Sequence, residues 1–130
     1  MSTEEETLLL DPRLALALAS FNAGDWYAAH DHFEELWHET QGPMRTALQG
    51  VLQIAVANVH LESGNMHGAT VLLGEGIGRL ARVESDALGL DMMALRTLAV
   101  EQLQCLQQGL PLNTCSPLRL NPAPTDTSFH

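Results

Sequence analysis

The chain has 130 residues, of which 45% are apolar and 17% charged, a composition typical of one globular domain and unlike that of disordered or collagen-like chains. Sixteen acidic residues stand against six arginines and no lysine, which gives a formal charge of -10. This charge repels phosphate backbones and anionic lipid headgroups, so neither nucleic acid nor a membrane surface is an expected partner.

Residues 1–10 are predicted to form an acidic, solvated tail. This segment lacks the basic and apolar regions of an export signal, and no apolar stretch in the chain is long enough to span a bilayer. We therefore expect a soluble, cytoplasmic protein. Cys105 and Cys115 could pair, but in that compartment, and without a metal-type spacing, free thiols are expected.

Helix signals fill residues 11–111, and no alternation of period two is long enough to indicate a strand. The sequence predicts an all-α domain, a compact bundle of five helices. Asp11 and Pro12 begin the first helix, which ends near Asn22. The other predicted helices run over 25–40, 44–63, 66–83 and 92–108. Three glycines weaken the fourth of them, and the Pro-rich residues 112–130 form a tail whose Leu118 and Leu120 can pack on the body.

An internal repeat at a spacing of 40 residues relates two helix-to-helix turns. Gly24-Asp25 followed by Ala29 corresponds to Gly64-Asn65 followed by Ala69. The repeat predicts two αα-hairpins, and the first turn is similar to that of a tetratricopeptide repeat. Because solenoids need three or more repeats, a compact bundle is favoured over an open array.

The second predicted helix carries the residues best suited to chemistry. His30, Glu34 and Trp37 are spaced i, i+4, i+7 and share one stripe at the margin of the apolar face. Trp26 and Trp37 are interpreted first as core anchors and second as part of a ligand platform. Glu34 is the candidate catalytic residue, either as a metal ligand or as a general base.

The third predicted helix has a matching polar stripe formed by Gln49, Gln53 and His60. If the second and third helices form a hairpin through Gly42-Pro43, this stripe can face His30 and Glu34. Two imidazoles and one carboxylate, from His30, Glu34 and His60, would then bind a divalent metal such as zinc and leave a position open for water. The alternative is a purely structural cluster in which these side chains satisfy one another by hydrogen bonding.

Three ordered blocks give the sequence its most specific pattern: Phe21-Asn22-x-Gly24-Asp25-Trp26-Tyr27-x-Ala29-His30-x-x-x-Glu34-x-x-Trp37, then Leu48-Gln49-Gly50-x-Leu52-Gln53-x-Ala55, then His60 with Gly64-Asn65-x-x-Gly68-Ala69. From about Leu14 to Leu80 the chain resembles the domain of unknown function 309 family of bacteria and archaea. The resemblance implies a small helical protein whose His-x-x-x-Glu-x-x-Trp motif binds metal, with metal-dependent hydrolase activity on an unknown substrate. The family motif corresponds to His30, Glu34 and Trp37 of this chain, and the resemblance implies Gln53 and His60 as further residues of the site.

Two hypotheses of function follow from the sequence. The first is a metal-dependent hydrolase with His30, Glu34 and His60 as ligands and with Trp37, Gln53, Gln49 and Trp26 in support. The second is a non-catalytic binding module, in which an apolar helix surface contacts a second copy of the chain or another protein and the polar cluster is structural.

Overall fold

Helices fill most of the chain between residues 3 and 124, the range that the computed structural model describes. In this range there is no strand, and one isolated bridge joins Leu90 to Pro122. The predicted all-α bundle is therefore confirmed. The six α-helices of the described range are α1 (Thr3–Leu10), α2 (Pro12–Asn22), α3 (Trp26–Glu39), α4 (Pro43–Glu62), α5 (Met66–Leu80) and α6 (Met92–Gln108).

Local capping explains why α2, α3, α5 and α6 begin where the sequence predicts. The side chains of Asp11, Asp25, Asn65 and Asp91 each accept a hydrogen bond from a backbone N–H of the first helical turn. At its other end, α6 stops at Gly109, which has a φ of +69°. α5 ends at Leu80, three residues before the predicted boundary at Val83.

The two αα-hairpins contain the same turn, as the internal repeat predicts. Gly24 and Gly64 have φ values of +76° and +81°, a conformation that glycine adopts without strain. One residue later, Asp25 N–H donates to Ser20 O at 2.9 Å, and Asn65 N–H donates to His60 O at 2.8 Å. Each turn reverses the chain, so that α2 packs on α3 and α4 packs on α5.

α4 is the central helix and packs against both α3 and α5. Half of its residues are buried, because apolar side chains occupy almost every side of it. α5 approaches it closely at Gly76, where an added Cβ would lie 2.9 Å from Ile54 Cγ1 and 3.0 Å from the carbonyl oxygen of Gly50. Gly76 lowers the helix propensity of α5, but its lack of a side chain allows α5 to pack closely against α4.

α1 corrects the prediction of an acidic tail. Its Leu8 is buried in the core, and two of its carboxylates accept hydrogen bonds from distant backbone amides. Glu4 binds the N–H of Gln41 at 3.1 Å, and Glu5 binds the N–H of Leu88 at 3.1 Å. An eight-residue helix is marginal alone, so its stability depends on these tertiary contacts and has no local sequence signal.

The segment after α6 folds back onto the bundle. Cys115 forms a disulfide with Cys105, which corrects the expectation of free thiols. The two cysteines meet because α6 ends at Gly109 and a 3-10 turn at Leu112–Thr114 then reverses the chain. Leu118 and Leu120 are buried, as predicted. Asn22 holds Leu120 through two hydrogen bonds, from Asn22 Nδ2 to Leu120 O and from Leu120 N to Asn22 Oδ1, at 2.9 and 2.7 Å. The last part of the predicted tail, residues 125–130, lies outside the described residues.

Across residues 3–124, no helix combines the length and the apolar character needed to cross a bilayer.

Candidate functional site

The predicted pair of His30 and Glu34 forms on α3. His30 Nε2 lies 2.6 Å from Glu34 Oε2, the contact expected one turn apart on a helix. The side chains are 32% and 40% exposed, so both are half dehydrated and still reachable from water. The Asp25 cap and the buried face of α3, with Ala29, Phe33 and Leu36 in the core, set the orientation of this stripe.

Two neighbours, neither of them predicted as part of the site, extend the pair. Asp31 Oδ1 lies 3.1 Å from His30 Nδ1, and His38 Nε2 lies 3.4 Å from Glu34 Oε1. Each ring nitrogen of His30 thus faces a carboxylate oxygen. Each carboxylate attracts the ring nitrogen that it faces only if that nitrogen carries a hydrogen. Between His30 Nε2 and Glu34 Oε2, a metal cation can take the place of this hydrogen.

Trp37 lies one turn beyond Glu34 and packs against the core. The guanidinium of Arg45 stacks on its indole, with Cζ 3.9 Å from the ring centroid, and donates to the carbonyl oxygens of Trp37 and Thr40 at 3.0 and 3.2 Å. The indole Nε1 is buried and has no hydrogen-bond partner in the described part of the chain. Arg45 therefore fixes the end of α3, a role that has no sequence signal other than a cation just after the Gly42-Pro43 turn.

Trp26 is partly buried and packs against the hydrophobic core. Its ring packs edge-to-face on Phe21 with centroids 5.0 Å apart, and Phe21 contacts Phe33 in the same way at 6.4 Å. These contacts anchor the first turn of α3 to α2.

The polar stripe of α4 does not join His30 and Glu34. Gln53 binds two residues of α5, accepting from Arg79 Nε at 2.8 Å and donating to Glu75 Oε1 at 3.2 Å. His60 lies near the end of α4, where its Nδ1 is 3.2 Å from Asn65 Nδ2. Gln49 is partly buried one turn before Gln53. No three His, Cys, Asp or Glu side chains among residues 3–124 are arranged to hold a metal ion.

A charged network lies on the outer side of α3, next to the candidate site. Arg13 of α2 forms ion pairs with Asp11, Glu39 and Glu35 at 2.8, 2.7 and 3.3 Å. The hydrogen bonds from Arg13 lower the pKa of both Asp11 and Glu39, and those carboxylates, Glu39 first, raise the pKa of Arg13. The network joins α2 to the last turn of α3 and leaves Glu34 outside it.

Comparison with known proteins finds a family match. Residues 14–72, from α2 into α5, match the model of a domain of unknown function (DUF309), which confirms the resemblance found in the sequence. The match includes His30, Glu34, Trp37, Gln53 and His60. No curated protein matches the chain.

Proposed function

We propose that this DUF309-domain protein holds a divalent metal ion at His30 and Glu34 and uses it in a hydrolytic reaction. The observation that carries the proposal is the 2.6 Å approach of His30 Nε2 to Glu34 Oε2 on a half-exposed face. An imidazole nitrogen and a carboxylate oxygen are ligands that zinc and similar ions prefer.

The surroundings of His30 support this role. Its second nitrogen, Nδ1, faces Asp31 Oδ1 at 3.1 Å, and a carboxylate in that position orients a metal-binding histidine and fixes its tautomer. Trp37 and Arg45 hold the following turn of α3 rigid. Without a proton between them, His30 Nε2 and Glu34 Oε2 are two lone-pair atoms that repel each other, and a metal ion between them would replace that repulsion with two attractive contacts.

The donor set fits a metal after a small movement. His30 Nε2 and Glu34 Oε2, now 2.6 Å apart, could both bind one ion if Glu34 Oε2 moved slightly away. The half-exposed side chain of Glu34 can do this by changing its outer torsions. An ion held by these two residues alone would be accessible to water and to a substrate.

Each residue has a defined part in the proposed reaction. A metal ion held at His30 and Glu34 would supply Lewis acidity and polarise a bound water. Glu34 would contribute Oε2 as ligand, and its Oε1 faces His38 Nε2 at 3.4 Å. His60, which the sequence predicts as a third ligand, is left out of the proposed site, because its Nδ1 lies beside Asn65 Nδ2 at 3.2 Å.

Metal content tests the proposal. Protein purified without a histidine tag should contain a divalent metal, and chelation should lower its melting temperature. His30→Ala and Glu34→Gln should lose the metal, whereas His67→Ala, at an exposed position on α5, should keep it. Metal-free wild-type protein, or equal metal content in all four proteins, would overturn the assignment of the ligands.

The reaction is tested separately from the metal. The metal-loaded protein should hydrolyse an activated ester such as p-nitrophenyl acetate, with activity that chelator abolishes and added zinc restores. Glu34→Gln should remove this activity, and His67→Ala should leave it unchanged. Activity that survives the chelator, or an equal loss in His67→Ala, would contradict the metal-dependent reaction.

A second candidate function is that of a binding module, and the repeated turn at Gly24 and Gly64 favours it. In this alternative the two hairpins present a surface to a second copy of the chain or to another protein, and His30 with Glu34 only stabilises α3. His30→Ala would then lower stability by about 0.5 kcal/mol without any change in metal content. Light scattering tests a stable homodimer, because a species of 14.1 kDa excludes it.

A further inference from the structure

We propose that the cavity between the beginning of α4 and the end of α5 binds the phosphate group of a small polar ligand. The cavity has a volume of about 570 Å³, within the range of about 300–1,000 Å³ typical of small-molecule sites. Arg79, Arg82 and Thr46 line it, together with Glu5 and Glu84. None of its lining residues belongs to the His30–Glu34 pair, so the inference is independent of the proposed hydrolase.

Two of the six arginines of this acidic chain line the same cavity. Arg79 lies in the last turn of α5 and Arg82 two residues beyond its end, and both line the cavity. Arg13 is already bound by three carboxylates, and Arg45 by two carbonyl oxygens. By contrast, the side chain of Arg82 has no ion pair or hydrogen bond with any residue between 3 and 124; only its backbone N–H is bonded, to Arg79 O at 3.0 Å.

Arg79 is held in place by a hydrogen bond that leaves its terminal groups available. Its Nε donates to Gln53 Oε1 at 2.8 Å, and Gln53 in turn donates to Glu75 at 3.2 Å. The Nη groups of Arg79 have no partner among the described residues. A guanidinium fixed at Nε, with both Nη groups free, is prearranged for two hydrogen bonds to an oxyanion.

The first turn of α4 adds two features suited to an anion. The hydroxyl of Thr46 has no hydrogen-bond partner in the described range, whereas those of Thr70 and Thr97 donate to the carbonyl oxygen four residues earlier. The cap residue of α4 is Gly42, which provides no side-chain bond to the first-turn amides. The positive end of a 20-residue helix therefore adds to the field of Arg79 and Arg82.

The two acidic residues of the cavity limit the charge of the ligand. Glu5 and Glu84 balance Arg79 and Arg82, so a polyphosphate or a nucleic acid would be repelled as the overall charge of -10 also predicts. A ligand with one phosphate, and with hydroxyl or amino groups for the carboxylates, matches this arrangement. We therefore assign the cavity to a small phosphate monoester.

Calorimetric titration of the full chain at constant ionic strength tests the site, with glycerol 3-phosphate and inorganic phosphate as probes. Both should bind at one site per chain, and inorganic triphosphate should bind more weakly. Arg79→Gln and Arg82→Gln should each reduce affinity by about tenfold or more, because each removes charged hydrogen bonds to the phosphate. Thr46→Val should reduce it by less.

Arg96→Gln is the matched control, because Arg96 is an exposed arginine of α6 outside the cavity. It removes the same charge as Arg82→Gln and should leave the affinity unchanged. Equal weakening by both substitutions would mean that only general charge attraction is involved and would overturn the site. Absence of saturable binding by wild-type protein would overturn it as well. Circular dichroism and melting temperatures establish that every variant is folded.

Discussion

Two glycines of the same helix should respond to alanine in opposite directions. Gly76 is buried against α4, where a Cβ would lie 2.9 Å from Ile54 Cγ1 and 3.0 Å from the backbone oxygen of Gly50. Gly74 lies on the exposed side of α5, and nothing within 4 Å would meet its Cβ. The pair therefore separates the helix propensity of alanine from its steric cost.

The expected magnitudes follow from this geometry. Gly74→Ala should raise the free energy of unfolding by about 0.5–1 kcal/mol, the gain in helix propensity. Gly76→Ala has the same gain, but overpacking against the backbone of Gly50 costs about 1–3 kcal/mol, so a net loss of about 1 kcal/mol is expected. The two variants should then differ by roughly 2 kcal/mol, or about 8 °C in melting temperature at about 4 °C per kcal/mol.

Urea and thermal unfolding followed by circular dichroism at 222 nm measure both values. Wild-type protein and Gly74→Ala provide the reference and the matched control. If Gly76→Ala is as stable as Gly74→Ala, the close approach of α4 and α5 at Gly50 is wrong, and with it the argument that this glycine is required for packing.

Three further perturbations test other parts of the structure. Asn58→Ala should destabilise the protein by about 1–3 kcal/mol in urea unfolding, because it leaves the buried amide of Gln102 without its partner on α4; an unchanged midpoint would contradict the buried amide pair. Arg13→Gln should reduce the loss of stability between pH 7 and pH 3. Arg13 lowers the pKa of Glu39 in the folded protein, so this ion pair stabilises the fold above the ordinary pKa of a glutamate, and the stabilisation is lost as the pH falls through the lowered pKa. Equal acid sensitivity of wild-type protein and Arg13→Gln would refute this. Asn22→Ala should lower stability by about 1–2 kcal/mol and speed proteolysis of the segment after α6, since both of its hydrogen bonds to that segment are lost; an unchanged cleavage rate would count against this anchor.

The helices were predictable because their signals are local. Asp25 and Asn65 cap the first turn of their own helices, and Gly24 and Gly64 supply the positive φ one residue earlier. α1 was not predictable in this way, because Glu4 and Glu5 bind amides far along the chain. A cap can be recognised within a few residues, whereas a docking contact depends on the complete fold.

The candidate site was predictable only in part, for the same reason. The contact between His30 and Glu34 follows from helical spacing within α3. The direction of the polar stripe on α4 does not, because α4 has neighbours on two sides, and its Gln53 faces α5 instead of α3. His60 fails as a companion of His30 because it lies at the turn that leads into α5.

Titration of the chelator-treated, tag-free protein with zinc tests the central claim most directly. One ion should bind per chain, His30→Ala and Glu34→Gln should each abolish that binding, and His67→Ala should retain it. Absence of saturable binding in the wild-type protein, or binding that survives in both His30→Ala and Glu34→Gln, would contradict a metal site at this pair.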